Sequence, residues 1–116
     1  MSDTFPAMAA QIRAFRDERD WAQFHTPKEL AVAIAAESGE LLQHFVWQST
    51  EQSAQRLEQR REAICDEVAD VAILLFEFAD HLGLDLAEVM RAKLAKNAQR
   101  YPVEKARGSN RKYHEL

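Results

Sequence analysis

Two pairs of carboxylates stand where acids are least expected. Between Leu30 and Trp47, Glu37 and Glu40 are the only charged residues, set in Leu-Ala-Val-Ala-Ile-Ala-Ala-Glu37-Ser-Gly-Glu40. Glu67 and Asp70 repeat the same three-residue spacing in Glu67-Val-Ala-Asp70-Val-Ala-Ile-Leu-Leu-Phe76. On a helix, residues three apart share a face, roughly 5–6 Å apart at Cβ. Each pair therefore aims two carboxylates one way, and two neighbouring helices would bring four to one point. Buried together, four anions repel one another and lose hydration, so something positive must offset them. A hard divalent cation with oxygen ligands fits: Mg²⁺ first, Mn²⁺ as the alternative. A single such pair reads as a solvated helix face; two pairs, both inside apolar runs, read as a metal site. A di-iron carboxylate site would want Glu-x-x-His, and neither pair offers it. Zinc would want His or Cys, and His25, His44, His81, His114 and the lone Cys65 are scattered.

The segments that must position these acids read as helices. Residues 5–19 carry Pro6 near the start, then Met8, Ile12 and Phe15 at helical spacing. A linker over 21–25 follows. The second helix, expected over 27–48, opens with Thr26 as cap, Pro27 at the first position and Glu29 completing a capping box. Its run over 30–36 is apolar on every side, which calls for burial on more than one side and, in a chain this short, for an oligomer. Residues 49–54 read as a polar break. A third helix runs to about His81, with Gly83 as its cap. Asp85 and Glu88 open a fourth, which ends near Arg100 because Pro102 disfavours helix at Tyr101. Cys65 reads as a buried packing residue. The expected architecture is an all-α bundle of four to five helices over residues 1–102, with 103–116 a loop-like or partly disordered tail that could cover a neighbouring subunit.

Composition agrees and narrows the function. The chain has 116 residues, 15 Lys plus Arg against 19 Asp plus Glu, and a formal net charge of −4. One domain is its natural size. Mild acidity argues against a nucleic-acid binder. Three Gly and three Pro are too few for a turn-rich β fold. One cysteine rules out an intrachain disulfide. The first residues lack the basic start and apolar core of a leader, and no apolar run is long enough for a membrane span. A cytoplasmic location is the simplest expectation.

At this point the residues resemble a family. Glu37-Ser-Gly-Glu40, a gap of 26 residues, then Glu67-Val-Ala-Asp70 resembles the E-x-x-E…E-x-x-D signature of the MazG-like, all-α nucleoside triphosphate pyrophosphohydrolases. Phe24-His25-Thr26-Pro27-Lys28 before the acidic helix and Leu41-Leu42-Gln43-His44-Phe45-Val46-Trp47 after its acids resemble the dCTP pyrophosphatase branch. Lys93-Leu-Ala-Lys-Asn97-Ala-Gln-Arg100-Tyr101-Pro102 resembles that branch's ending. The resemblance covers residues 5–102. It implies Mg²⁺-dependent cleavage between the α and β phosphates of a (d)NTP, dCTP or a 5-modified dCTP foremost, to monophosphate and pyrophosphate. It implies a tetramer or tight dimer, and a part in removing damaged nucleotides or balancing nucleotide pools.

The same resemblance distributes roles. Glu37, Glu40, Glu67 and Asp70 would hold the metal, and Glu37 or Glu40 would act as general base toward water. Lys93 and Asn97, with Arg100 and Tyr101, would grip phosphate oxygens. The base pocket would use aromatic stacking and His25. Trp47 lies ten residues after Glu37, close to the same face because three turns take about 10.8 residues. His25 and Trp47 therefore come first, and Trp21 has packing under the linker as its alternative. One departure is Leu74, where many relatives place a Tyr one turn after the last metal acid. A broader or dUTP-preferring pyrophosphohydrolase, and a non-enzymatic helical interaction module with a structural acidic cluster, are the competing expectations.

Overall fold

Capping side chains open most of the helices. A computed structural model of the chain describes residues 4–116; residues 1–3, the start of the stretch read as lacking a leader, lie outside the described residues. Thr4 caps α1 (Phe5–Glu18) through its Oγ1, which accepts from the Ala7 amide at 3.1 Å. Thr26 caps α2 (Pro27–Gln43) by accepting from the Glu29 amide. Only half of the expected capping box forms there, because the Glu29 carboxylate pairs with Lys28 Nζ at 2.8 Å instead. All described regular structure is helical, as an all-α chain requires.

Two helix boundaries differ from expectation, each for a local reason. The second helix ends at Gln43 rather than near residue 48. Tight amide bonds from His44 to the Leu41 carbonyl and from Phe45 to the Leu42 carbonyl close its last turn. Arg56 Nη1 then donates to the His44 carbonyl at 3.1 Å, satisfying an end that would otherwise lack a donor. The stretch taken as a polar break starts a helix of its own, α3 (Thr50–Gln59). Ser49 and Gln52 form a full reciprocal capping box there, a pattern that Ser-Thr-Glu-Gln already spells. Arg60, with φ −119° and ψ 27°, separates α3 from α4 (Arg61–His81). The single third helix is therefore two.

Helix α4 is the spine of the first unit, which among the described residues spans 4–84, packing along α2 most extensively and also against α1 and α3. Its buried apolar side chains are few: Ile12 from α1, Leu30 from α2, Ile64 and Ala79 from α4. Gly83, at φ +67°, ends α4. Its amide bonds the Asp80 carbonyl and the Leu84 amide bonds the Ala79 carbonyl, the paired bonds of a Schellman cap.

Residues 85–116 form a second compact unit. It contains α5 (Leu86–Arg100), capped by Asp85 Oδ1 on the Glu88 amide at 3.2 Å, then α6 (Val103–Ala106) and a 3₁₀ turn over Tyr113–Glu115. The compact division thus falls after Leu84, and the expected boundary at 102 lies inside the second unit. The expected loop-like tail is partly helical. Its Tyr113 ring meets Tyr101 edge-on, with centroids 6.2 Å apart, and the Arg100 guanidinium lies 4.9 Å from the Tyr113 ring centre.

Candidate active site

Packing α4 along α2 brings the two acid pairs together. One carboxylate oxygen from each of Glu37, Glu67 and Asp70 lies within 4.8 Å of the other two. Glu37 and Glu67 are half-buried and Asp70 is exposed. The Oε2 atoms of Glu37 and Glu67 are each buried with no hydrogen-bond partner. Buried oxygens without a donor, facing other acids, are costly unless a cation satisfies them. Burial first, then the nearby charges of Glu40, Asp70 and Glu67, push the Glu37 carboxyl above its ordinary pKa. Burial first, then hydrogen bonding and charge from Glu40, then Asp70 and Asp66, do the same to Glu67. Glu40 therefore stands beside both half-buried acids, although it is outside the mutual set of three. Hard oxygen donors, two of them orphaned, fit a divalent cation.

A cavity of about 430 Å³ opens beside these acids, with Glu37 and Asp70 in its wall. Met8, Ile12 and Phe15 of α1 and Ile73 and Leu74 of α4 make it largely apolar. Gln11, Trp21, His25 and Glu77 complete it. Trp21 packs edge-on to Phe15, with centroids 5.9 Å apart, and lies 6.2 Å from the His25 ring. His25 Nδ1 and Glu77 Oε1 are 3.2 Å apart. A mostly apolar cavity of this size with a few convergent polar groups is the usual form of a small-molecule site. Leu74 contributes a hydrocarbon wall.

The other expected site residues fall elsewhere. Trp47 does not join this cavity. With α2 ending at Gln43, the helical register that placed Trp47 near Glu37 no longer applies. Trp47 sits in the following turn at φ +63° and is 96% exposed. Trp21, ranked behind it, is the tryptophan in the cavity wall. Lys93, Asn97 and Arg100 lie along α5, and Tyr101 ends that helix with its amide on the Asn97 carbonyl at 2.8 Å. All four belong to the second unit. Cys65, expected to be buried, is exposed. Glu77 was not singled out at all. Its signal was an acid in Leu74-Leu75-Phe76-Glu77-Phe78, two turns after Asp70.

The profile of the MazG-like family matches residues 32–116. The chain belongs to the MazG-like family. This MazG-like chain is 41% identical over 104 residues to dCTP pyrophosphatase 1 of Homo sapiens, covering 88% of this chain and 61% of that one. Against dCTP pyrophosphatase 1 of Mus musculus the identity is 42% over the same shares. The chain thus spans about three fifths of the length of the curated relatives it matches. A pyrophosphatase from Archaeoglobus fulgidus, known from a crystal structure, superposes with a TM-score of 0.82 at 36% identity, covering 88% of this chain and 95% of that one. The MazG-like match begins at residue 32, so α1, Trp21 and His25, which wall the cavity, precede the matched segment. Among the described residues, no helix is long and apolar enough to cross a membrane.

Proposed function

We propose that this chain is a metal-dependent nucleoside triphosphate pyrophosphohydrolase acting on dCTP or a 5-modified dCTP. Water would attack the α-phosphorus, the bond from it to the α–β bridging oxygen would break, and the monophosphate and pyrophosphate would leave. The observation that carries the reading is the acid cluster, with two orphaned buried oxygens, beside an apolar, aromatic-flanked cavity that Glu37 and Asp70 help to wall. Its match to proteins named dCTP pyrophosphatase 1 supports the substrate class.

Glu37, Glu67 and Asp70, with Glu40 beside them, would hold Mg²⁺ or Mn²⁺. When bound, the ion supplies charge neutralisation at phosphate oxygens and acidifies water. Glu37 or Glu40 takes the proton from the attacking water. Trp21 offers a face for a base to stack on, and His25 offers a polar ring edge beside it. Lys93 and Asn97 of α5 carry the cation and amide suited to phosphate oxygens. Arg100 and Tyr101 lie against Tyr113, so a phosphate role for them requires that aromatic cluster to open. Outside the cavity, Trp47 has a role in base binding only if another chain presents it.

The test is pyrophosphate release with Mg²⁺ across the four dNTPs, the four NTPs and 5-methyl-dCTP. Cytosine deoxynucleotides should turn over fastest. Losing an outer partner of a metal ligand costs about 10–100-fold, so Glu37→Gln or Glu67→Gln, which remove an inner one, should cost at least ~100-fold. Even turnover across bases would favour the broader-specificity reading. No turnover from folded, Mg²⁺-supplied protein would favour the interaction module.

A further inference from the structure

Glu77 stands apart from the acids of the metal cluster. It is the one charged residue buried among the described residues, at 6% exposure. Its partner is His25, through Nδ1 at 3.2 Å, and no other hydrogen bond reaches its side chain among the described residues. A carboxylate has about four acceptor positions, so one imidazole leaves most of them without a donor. Burying a carboxylate so sparsely satisfied is costly, and an apolar residue of like volume would commonly fill such a place at no loss of stability. Glu77 is nonetheless in the wall of the cavity, where an incoming donor can reach it.

Its position along α4 matters. Asp70 and Glu77 are seven residues apart, so they share a helix face and are separated by about 10.5 Å of rise. Leu74 lies between them on that face, and all three line the same cavity. A nucleotide whose phosphates lie at Asp70 and Glu37 would run its sugar past Leu74. Its base would then arrive with an edge toward His25 and Glu77.

We propose that Glu77, held in place by His25, is a specificity-determining residue that accepts a hydrogen bond from an exocyclic amino group on the nucleobase. This rests on the pyrophosphohydrolase reading and extends it. Cytosine presents an amino donor at the position where thymine and uracil present a carbonyl, and a carboxylate suits the former. Facing a carbonyl, the same buried acceptor meets another acceptor and stays unsatisfied. His25 uses Nδ1 to orient the carboxylate and leaves Nε2 as a second polar group at the same edge. The pair thus discriminates by what it accepts, while Trp21 and the apolar wall tolerate any pyrimidine face.

The experiment measures kcat and KM of wild type and Glu77→Gln for dCTP, dUTP and the deoxynucleoside triphosphate of 2-pyrimidinone, which lacks the amino group. Wild type should lose about 10–100-fold in kcat/KM from dCTP to the 2-pyrimidinone substrate, the range of one good base-edge contact. Glu77→Gln should lower the dCTP-to-dUTP ratio of kcat/KM at least tenfold, with the loss mainly in KM. A role confined to packing would lower both substrates alike and leave the ratio unmoved, which overturns the proposal. Equal use of dCTP and the 2-pyrimidinone substrate by wild type overturns it without any variant, so misfolding of Glu77→Gln cannot shield it. If wild type hydrolyses no triphosphate, the underlying reading falls and takes this one with it. If wild type hydrolyses dCTP with an unmoved ratio, this one alone falls.

Discussion

Glu37 and Glu67 carry the clearest physical tension in the molecule. Both carboxyls sit above the ordinary value of 4.5, through burial first and neighbouring acids second. The folded chain therefore holds more protons than the unfolded chain between 4.5 and the raised folded values. Stability from this cluster falls as pH rises through that window. The penalty is absent below the ordinary carboxyl range and complete above the raised values. A cation removes it. In EDTA at pH 7, Glu37→Gln should raise Tm relative to wild type. Mg²⁺ should raise the wild-type Tm on the order of 10 °C at a hundredfold excess over Kd and the variant's far less. Thermal melts with and without Mg²⁺ check both, and a wild-type Tm indifferent to Mg²⁺ would count against a metal site here. The acid spacing was legible because helical period alone puts three-apart residues on one face. Glu77 was not, because one acid in an apolar run looks the same whether it faces solvent or a cavity. Only the packing of α4 on α1 and the linker shows that it is buried.

At the scale of elements, Asp80 ties α1 to α4. Its carboxylate accepts from Arg13 Nε at 3.1 and 3.2 Å and from Arg13 Nη2, while Arg16 Nη1 stands 3.7 Å away. The Arg13 hydrogen bonds come first among the causes that hold its pKa below 3.8. A lowered folded value adds stability above the ordinary carboxyl range, and that stability is lost as pH falls through the folded value. Asp80→Asn should therefore lower Tm by several degrees at pH 7, with the difference closing as pH falls below the ordinary carboxyl range. Because α1 supplies Met8, Ile12 and Phe15 to the cavity, the same substitution should also weaken nucleotide binding. Melts across pH, paired with KM for dCTP, measure both effects. Helix starts were readable where a proline or a threonine announced them, at Thr26 above all. The end of α2 was not, because the carbonyl it frees at His44 is satisfied by Arg56, twelve residues on, at 3.1 Å. That long-range hydrogen bond lies outside any local pattern.

At the scale of the whole molecule, the apolar surface of the first unit is larger than one chain covers. On α2, Val32, Ala35, Gly39 and Leu42 fall at heptad spacing; Val32 and Leu42 are 52% and 63% exposed, and a Cβ built at Gly39 meets nothing within 4 Å. On α4, Val68, Ala72 and Leu75 fall at i, i+4 and i+7, all exposed. Stripes of this kind bind other helices, and contiguous apolar surface on an isolated chain marks an interaction site. A second copy is the occupant these stripes predict, which is what the all-round apolar run of α2 implied. In solution the mass should be a multiple of 13.3 kDa by light scattering. Leu42→Glu should shift it toward the protomer and make Tm depend on concentration. Leu42 lies five residues beyond Glu37 on α2, which supplies Glu37 to the acid cluster. Dissociation should therefore weaken Mg²⁺ binding together with assembly. A wild-type mass of one protomer at working concentrations would leave the stripes unexplained and refute the assembly.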